Sequence, residues 1–333
     1  MLEKIKLKNF TAFESLQLDF SPGVNLFIGA NGTGKTHLLK LLYAALSTQR
    51  ETRKKESFER KLANVFLPQG KRLGRLAHRV KGGATCEVHI IRDGKVLKFQ
   101  FTNRSQRQLK GYQNQWEAAH SAVYIPVKEM LADAPGLLSL YNERQLHLEG
   151  IYPDIVQKAF LPPLKGRPSA QRRELLELLQ QLMTGKVTQK GEQFFLQDER
   201  GELEFSLVAE GLRKLALLWL LVQNGSLLKG ATLFWDEPEA NLNPSLLKEL
   251  VKILLYLQRE GVQIFIATHS YVLLQLLELQ GLDNDKVRFY SFKRDEKGKI
   301  IAEDSQQYQD VQDNAIGQAF DDIYNKKLTQ LGL

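Results

Sequence analysis

The chain carries one cysteine in 333 residues, Cys86. That excludes a disulfide framework and a cysteine-rich zinc site, and it suits a reducing cytosol, so a cytoplasmic location is expected. No uncharged apolar run reaches the roughly 18 residues that span a bilayer, so no membrane partner is expected. The opening Met1-Leu2-Glu3-Lys4 runs into a charged, strand-like segment where a leader peptide would place its apolar stretch. No repeat with a period of 20–50 residues and no heptad run exists, which argues against a solenoid and against long coiled-coil arms. No Ser/His/Asp set, His-x-x-x-His pair or acidic cluster stands out beyond the motifs described below.

What is present is globular in kind: 43% hydrophobic and 25% charged residues, enough for one large domain or two ordinary ones. The net charge of +8 is unevenly placed. From Arg50 to Lys110 there are 17 basic and 5 acidic residues, a local +12 that leaves −4 for the remainder. Such a local field points to a polyanion or an acidic partner, or forms a solvated basic face.

Residues 2–8 alternate apolar and polar with the period of a half-buried strand, and residues 16–20 repeat the pattern. Val24 to Ile28 is a short apolar run, as in a buried central strand, and an apolar-rich helix follows from Leu38 to Leu46. Glu87 to Phe101 predicts a hairpin turned at Asp93-Gly94. Residues 122–126 form a strand stopped by proline, 129–183 are helical with breaks, and 194–205 hold a second hairpin. A helix over 212–222, a strand over 232–235, a helix over 244–258, a strand over 262–267, a helix over 272–279 and a last strand over 286–293 complete the pattern. Strands alternating with helices predict an α/β fold with a largely parallel core sheet.

Three motifs carry chemistry. Gly29, Ala30, Asn31, Gly32, Thr33, Gly34, Lys35 and Thr36 fit G-x-x-x-x-G-K-[ST] between a strand and a helix, the context of a phosphate-binding loop. Glycines let backbone N–H groups turn onto phosphate oxygens, and the helix start adds its positive dipole end. Lys35 is expected to reach the β- and γ-phosphates of ATP, and Thr36 to ligate Mg²⁺. About 200 residues on, Thr232 to Trp235 ends in Asp236-Glu237-Pro238, which places Asp236 at the C-terminal end of a core strand as a second Mg²⁺ residue and Glu237 as general base. His269 ends another apolar run 32 residues after Glu237, where a histidine can sense the γ-phosphate or orient the attacking water.

Together these motifs resemble the ATP-binding-cassette class of P-loop ATPases, and more closely the RecF-like and OLD-like AAA-family ATPases of DNA maintenance and antiphage defence. The resemblance rests also on Leu7-Lys8-Asn9-Phe10 with Phe13, on Tyr124-Ile125-Pro126 and on Asp236-Glu-Pro-Glu-Ala-Asn-Leu242, and it extends from Met1 to about residue 295. It implies an ABC-ATPase head: a mixed, largely parallel core sheet, an antiparallel β subdomain and a helical signature lobe. It further implies one ATPase domain over 1–333, with an N-terminal lobe over 1–125 that carries the phosphate loop and a basic insertion at about 50–110, a signature lobe over 126–222, and the rest of the core over 223–333. A head-to-tail homodimer or higher homo-oligomer is implied, with ATP sandwiched between subunits. His269 would then be the switch histidine, Asn241 and Leu242 would sit in the interface loop, and Ala209, Glu210, Gly211 and Arg213 would present the signature to the partner's γ-phosphate.

The sequence departs from that pattern in two places. Ala209 stands where a serine commonly donates a hydroxyl, with Arg213 or Lys214 as possible substitutes. Val127-Lys128-Glu129 occupies the stretch where many relatives place a Mg²⁺-contacting glutamine. Phe10 and Phe13 are candidates for the adenine contact or for the core. Phe58, Phe66, Tyr112 and Trp116 are available to stack on nucleic acid along the basic segment. With 64 residues after His269, no room is expected for an appended nuclease of the OLD kind. The expected function is therefore a nucleotide-gated ATPase that regulates a separate effector, a nuclease or toxin in antiphage defence. The alternative is a RecF-like repair ATPase clamped on DNA. A transporter's nucleotide-binding subunit fits less well, given the divergent signature and the basic segment.

Overall fold

The computed structural model describes residues 1–47, 56–116, 120–144 and 146–308. In chain order, β1 (Leu2–Phe10) and β2 (Phe13–Asp19) form a hairpin, and β3 (Val24–Gly29) leads through the glycine-rich loop into α1 (Lys35–Ser47). Then come α2 (Phe58–Phe66), β4 (Thr85–Arg92), β5 (Lys95–Thr102), β6 (Lys110–Asn114) and β7 (Ala122–Ile125). The helices α3 (Leu137–Arg144), α4 (Ile151–Ala159) and α5 (Ala170–Met183) precede a small meander of β8 (Lys186–Lys190), β9 (Gln193–Asp198) and β10 (Gly201–Glu204). Last are α6 (Glu210–Gln223), β11 (Thr232–Asp236), α7 (Pro244–Arg259), β12 (Gln263–Thr268), α8 (Tyr271–Gln280), β13 (Val287–Arg294) and β14 (Ile300–Ser305). Among the described residues no helix is long and apolar enough to cross a membrane.

The central sheet has the order β14-β13-β3-β12-β11-β7 and is parallel throughout except for β14. Strands of such a sheet are covered on both faces, which explains the largely apolar runs of β3, β11 and β12. Alternation then sorts them by shape. Val24, Leu26, Ile28, Leu233, Trp235, Ile264 and Ile266 face one core, packed with α6 and α7. Phe27, Phe234 and Phe265 face the other, with α1 and the N-terminal sheet; Phe234 stacks on Phe265 at 5.2 Å between ring centroids. Because β3, β11, β12 and β13 run in one direction, their C-terminal ends share one edge, with Asp236 opposite Ala267, Thr268 opposite Ile28 and Phe292 opposite Gly29.

The second sheet, β2-β1-β4-β5-β6, is wholly antiparallel. The Asp93-Gly94 turn joins β4 to β5 with both residues at positive φ, +49° and +70°, as a tight hairpin requires. Within the described part of the basic segment, β4 pairs along β1, β5 along β4 and β6 along β5, so residues from Thr85 onward are strands of this sheet, while α2 precedes them. Part of that segment, 50–55, lies outside the described residues. The sequence reading needs correction beyond β13: residues 286–293 are not the last strand, since β14 pairs antiparallel with β13 from Phe289–Ser305 to Arg294–Ile300.

Candidate nucleotide-binding site

The glycine-rich loop lies at the common edge of the parallel strands. Gly32 and Gly34 have φ of +77° and +91°, and a Cβ on Gly34 would fall 2.6 Å from the Phe13 ring. The path of the loop therefore requires glycine there. Thr33 donates its hydroxyl to the Ala30 carbonyl at 2.9 Å. Lys35, the first residue of α1, folds back so that Nζ donates to the carbonyls of Gly29 at 2.6 Å and Ala30 at 3.0 Å. Burial lowers the Lys35 ammonium to about 8, against the pull of Asp236 and Glu237. Arg294, at the end of β13, donates to the Gly32 carbonyl at 3.0 Å and to the Gly298 carbonyl at 3.2 Å, so the final hairpin grips the crest of the loop.

Asp236 ends β11 next to this loop. Thr36 Oγ1 donates to Asp236 Oδ1 at 3.1 Å, and the phenol of Tyr124, on β7, donates to Oδ2 at 3.2 Å. Burial raises the Asp236 carboxyl to about 6, and the two hydrogen bonds oppose that shift. Among the described residues no group of three or more His, Cys, Asp or Glu converges as a metal cage. Two hard oxygen donors beside a phosphate loop suit Mg²⁺, which binds through one or two protein oxygens together with substrate phosphates.

Glu237 follows at φ +48°, its N–H held by the Ala267 carbonyl at 2.9 Å, which turns the side chain out of the sheet. His269 Nε2 lies 3.3 Å from Glu237 Oε1. Lys35, Thr36, Asp236, Glu237 and His269 thus line one open cleft with Asn31, Gly32 and Gly34. The structure brings the three sequence motifs together there.

The predicted signature and interface loop lie against each other within the chain. Ala209 occupies the N-cap of α6 and supplies no side-chain hydrogen bond, so the first amides of that helix lack a side-chain acceptor. Gly211 abuts the loop: a Cβ on it would sit 2.9 Å from the Asn241 carbonyl and 3.2 Å from Leu242 Cδ1. Asn241, at φ +60°, is exposed, whereas Leu242 is buried. Arg213 and Lys214, offered as substitutes for the missing serine, are both engaged within the chain. Arg213 ion-pairs with the buried Glu129 at 2.7 Å and donates to the carbonyls of Phe205 and Val208, and Lys214 is buried and donates to the Ala240 carbonyl. Glu129, in the stretch without a glutamine, is consumed by that ion pair rather than facing the cleft.

Two further expectations are settled by packing. Phe10 and Phe13 are fully buried, so they belong to the core, although Phe13 lies directly beneath Gly34. Of the aromatics offered for nucleic-acid stacking, Phe58 and Trp116 are buried and Phe66 packs edge-on against Phe10. Only Tyr112 is exposed, and its ring already stacks on Phe58. The roles of Tyr124, Glu239 and Arg294 were not legible beforehand. Tyr124 and Glu239 stand inside quoted motifs without a distinguishing signal, and Arg294 stands in none.

A parallel sheet that gathers a phosphate loop, an Asp-Glu pair and a histidine at one edge, with a helix start against the following loop, defines an ABC-type P-loop ATPase. The chain belongs to the family described as "AAA domain, putative AbiEii toxin, Type IV TA system", which matches residues 84–275, and residues 1–107 match the "AAA ATPase domain" family. It is an AAA-family ATPase of ABC type. Among curated proteins it is similar to the DNA replication and repair protein RecF of Listeria welshimeri, 33% identical over 114 residues, and to RecF of Streptococcus suis, 29% identical over 112 residues. Each match covers 33% of this chain and only 28% and 29% of those relatives. The fold is shared with an SmcHead bound to the C-winged helix domain of ScpA, at TM-score 0.56, 15% identity and coverage of 92% of this chain and 98% of that one. An Smc head domain with an extended coiled coil, bound to the C-terminal domain of ScpA derived from Pyrococcus furiosus, matches at TM-score 0.55, 12% identity and coverage of 98% and 99%.

Proposed function

We propose that the chain works as a nucleotide-gated dimer that binds ATP in the Gly29–Thr36 cradle and hydrolyses it only when a second copy closes over the γ-phosphate. The observation that carries this reading is the convergence of Lys35, Thr36, Asp236, Glu237 and His269 on one open cleft, while the uncapped start of α6 sits elsewhere on the same chain. Lys35 then draws its ammonium from the loop carbonyls to the phosphates. Thr36 and Asp236 would hold Mg²⁺, whose charge offsets that of the phosphates. Glu237 accepts a proton from the attacking water, with His269 alongside to orient it. The amides at Glu210 and Gly211 supply the partner's γ-phosphate with donors, without the usual serine hydroxyl.

The output of the cycle is a change in a separate effector, a nuclease or toxin, and the family description supports a toxin-linked setting. A second reading, an ATP clamp on DNA, is supported by the RecF likeness and by the basic residues of the N-terminal sheet. The decisive experiment compares Lys35→Ala and Glu237→Gln. Lys35→Ala is expected to lose nucleotide affinity, and Glu237→Gln to keep ATP bound and accumulate as a dimer with turnover reduced roughly 100-fold or more. Equal turnover in wild type and Glu237→Gln would overturn the assignment. ATP-dependent, salt-sensitive DNA binding would decide for the second reading.

A further inference from the structure

Glu239 is the second glutamate of the Asp236-Glu237-Pro238-Glu239 run, and it is not among the residues that line the cleft. Its Oε1 accepts the Thr268 hydroxyl at 2.6 Å and the His269 backbone N–H at 3.0 Å. Thr268 is fully buried, and its Oγ1 accepts in turn from the Ser270 N–H at 2.9 Å. One carboxylate oxygen therefore fixes the segment on which His269 leaves β12.

The main chain of the same residue belongs to the turn expected at the subunit interface. Ala240 N–H donates to the Glu237 carbonyl at 3.0 Å, and Leu242 N–H to the Glu239 carbonyl at 3.1 Å. Lys214, from α6, donates Nζ to the Ala240 carbonyl, and Gly211 packs on Asn241. The main chain of Glu239 thus meets the Asn241–Leu242 turn and its side chain the histidine segment, while the next residues, Ala240 and Asn241, meet α6.

We infer that Glu239 is a positioning residue that ties His269 to the interface turn, so that the histidine is kept against Glu237 when a second copy engages that turn. This rests on the dimer reading above. Both donors to Oε1 are neutral, so an acceptor oxygen at that place is needed, not a charge. That separates a positioning role from a general contribution to folding.

The test measures kcat and KM for ATP, equilibrium binding of a fluorescent ATP analogue and ATP-driven dimerisation in wild type, Glu239→Gln, Glu239→Ala and Thr268→Val. Glu239→Gln keeps an acceptor and is expected within about 3-fold of wild-type kcat, whereas Glu239→Ala loses about 10-fold or more in kcat with KM and nucleotide affinity changed by less than about 3-fold. Thr268→Val is expected to lie between them. Wild-type kcat in Glu239→Ala, equal damage from Gln and Ala, or a matching loss of nucleotide affinity would overturn the inference. If Glu239→Ala does not fold, wild-type kcat in Thr268→Val does so alone. A wild-type chain that stays monomeric in ATP would instead overturn the dimer reading, a result the kcat comparison among variants cannot produce.

Discussion

The phenol of Tyr124 lies 3.2 Å from Asp236 Oδ2 while Thr36 holds the other oxygen at 3.1 Å, so the carboxylate is pinned from both sides in a buried setting. The tyrosine comes from the neighbouring strand β7 and is 1% exposed, so close packing surrounds it. Removing the hydroxyl leaves Oδ2 without its donor and makes the carboxylate harder to ionise. Tyr124→Phe is therefore expected to lower kcat by roughly 5- to 20-fold, on the order of 1–2 kcal/mol, and to raise the Mg²⁺ concentration needed for half-maximal turnover. Mg²⁺ titrations of steady-state ATPase rates check this; an unchanged Mg²⁺ requirement would show that the phenol does not position Asp236.

Ala209 caps α6 with backbone at φ −56° and ψ 138° and offers no acceptor to the first turn. Serine is among the best N-cap residues, and gaining such a cap is worth about 1 kcal/mol. Ala209→Ser should raise the denaturation free energy by about that amount in the absence of nucleotide. Chemical denaturation monitored by circular dichroism is the measurement, and a destabilised variant would mean that the cap geometry is wrong.

Glu129 is completely buried and its ion pair with Arg213 is 2.7 Å long. Burial holds its carboxyl above the usual range, with Arg213 and the Leu131 amide pulling it back. Deleting one partner leaves the other as an uncompensated buried charge, which costs about 3–5 kcal/mol. Glu129→Ala should fall near the lower end, about 3 kcal/mol, because Arg213 keeps the carbonyls of Phe205 and Val208. Glu129→Gln should cost less than Glu129→Ala, and the reverse order in urea denaturation would refute the account.

His120 donates to or accepts from the Thr232 hydroxyl at 2.6 Å, and burial, with Arg92 nearby, lowers its imidazole to about 4. Between that value and the ordinary 6.5, the unfolded chain binds a proton that the folded chain refuses. The stabilisation is complete above about 6.5 and is lost as pH falls through this window, about 2 kcal/mol between pH 7 and pH 5. His120→Asn should flatten that part of the stability–pH curve while changing stability at pH 5 less than at pH 7. Parallel wild-type and variant curves would remove histidine as the cause.

Much of the fold was legible because burial on both faces leaves an uninterrupted signal: β3, β11 and β12 stand where the apolar runs stand. The elements that escaped notice lack that signal. Every residue of β6 is exposed at a sheet edge, and β8 buries only Val187. In α2 the inward face includes Lys61, neutralised by Asp154 with its ammonium over the Tyr43 ring, so a basic residue sits where an apolar one was sought. The loop lysine, the acidic pair and the histidine were legible from spacing. Tyr124 and Glu239 were visible as letters, but their partners lie 112 and 29 residues away, and no local pattern records such a meeting.

Arg294 reaches from the final hairpin to the Gly32 carbonyl while also clasping Gly298. A fragment trimmed after Lys293 would retain every nucleotide-recognition motif in its sequence yet lose this guanidinium and the β14 strand beside it. The crest of the phosphate cradle would then be free to splay. Boundaries drawn around the motifs would thus yield a poorer ATP binder than the intact fold.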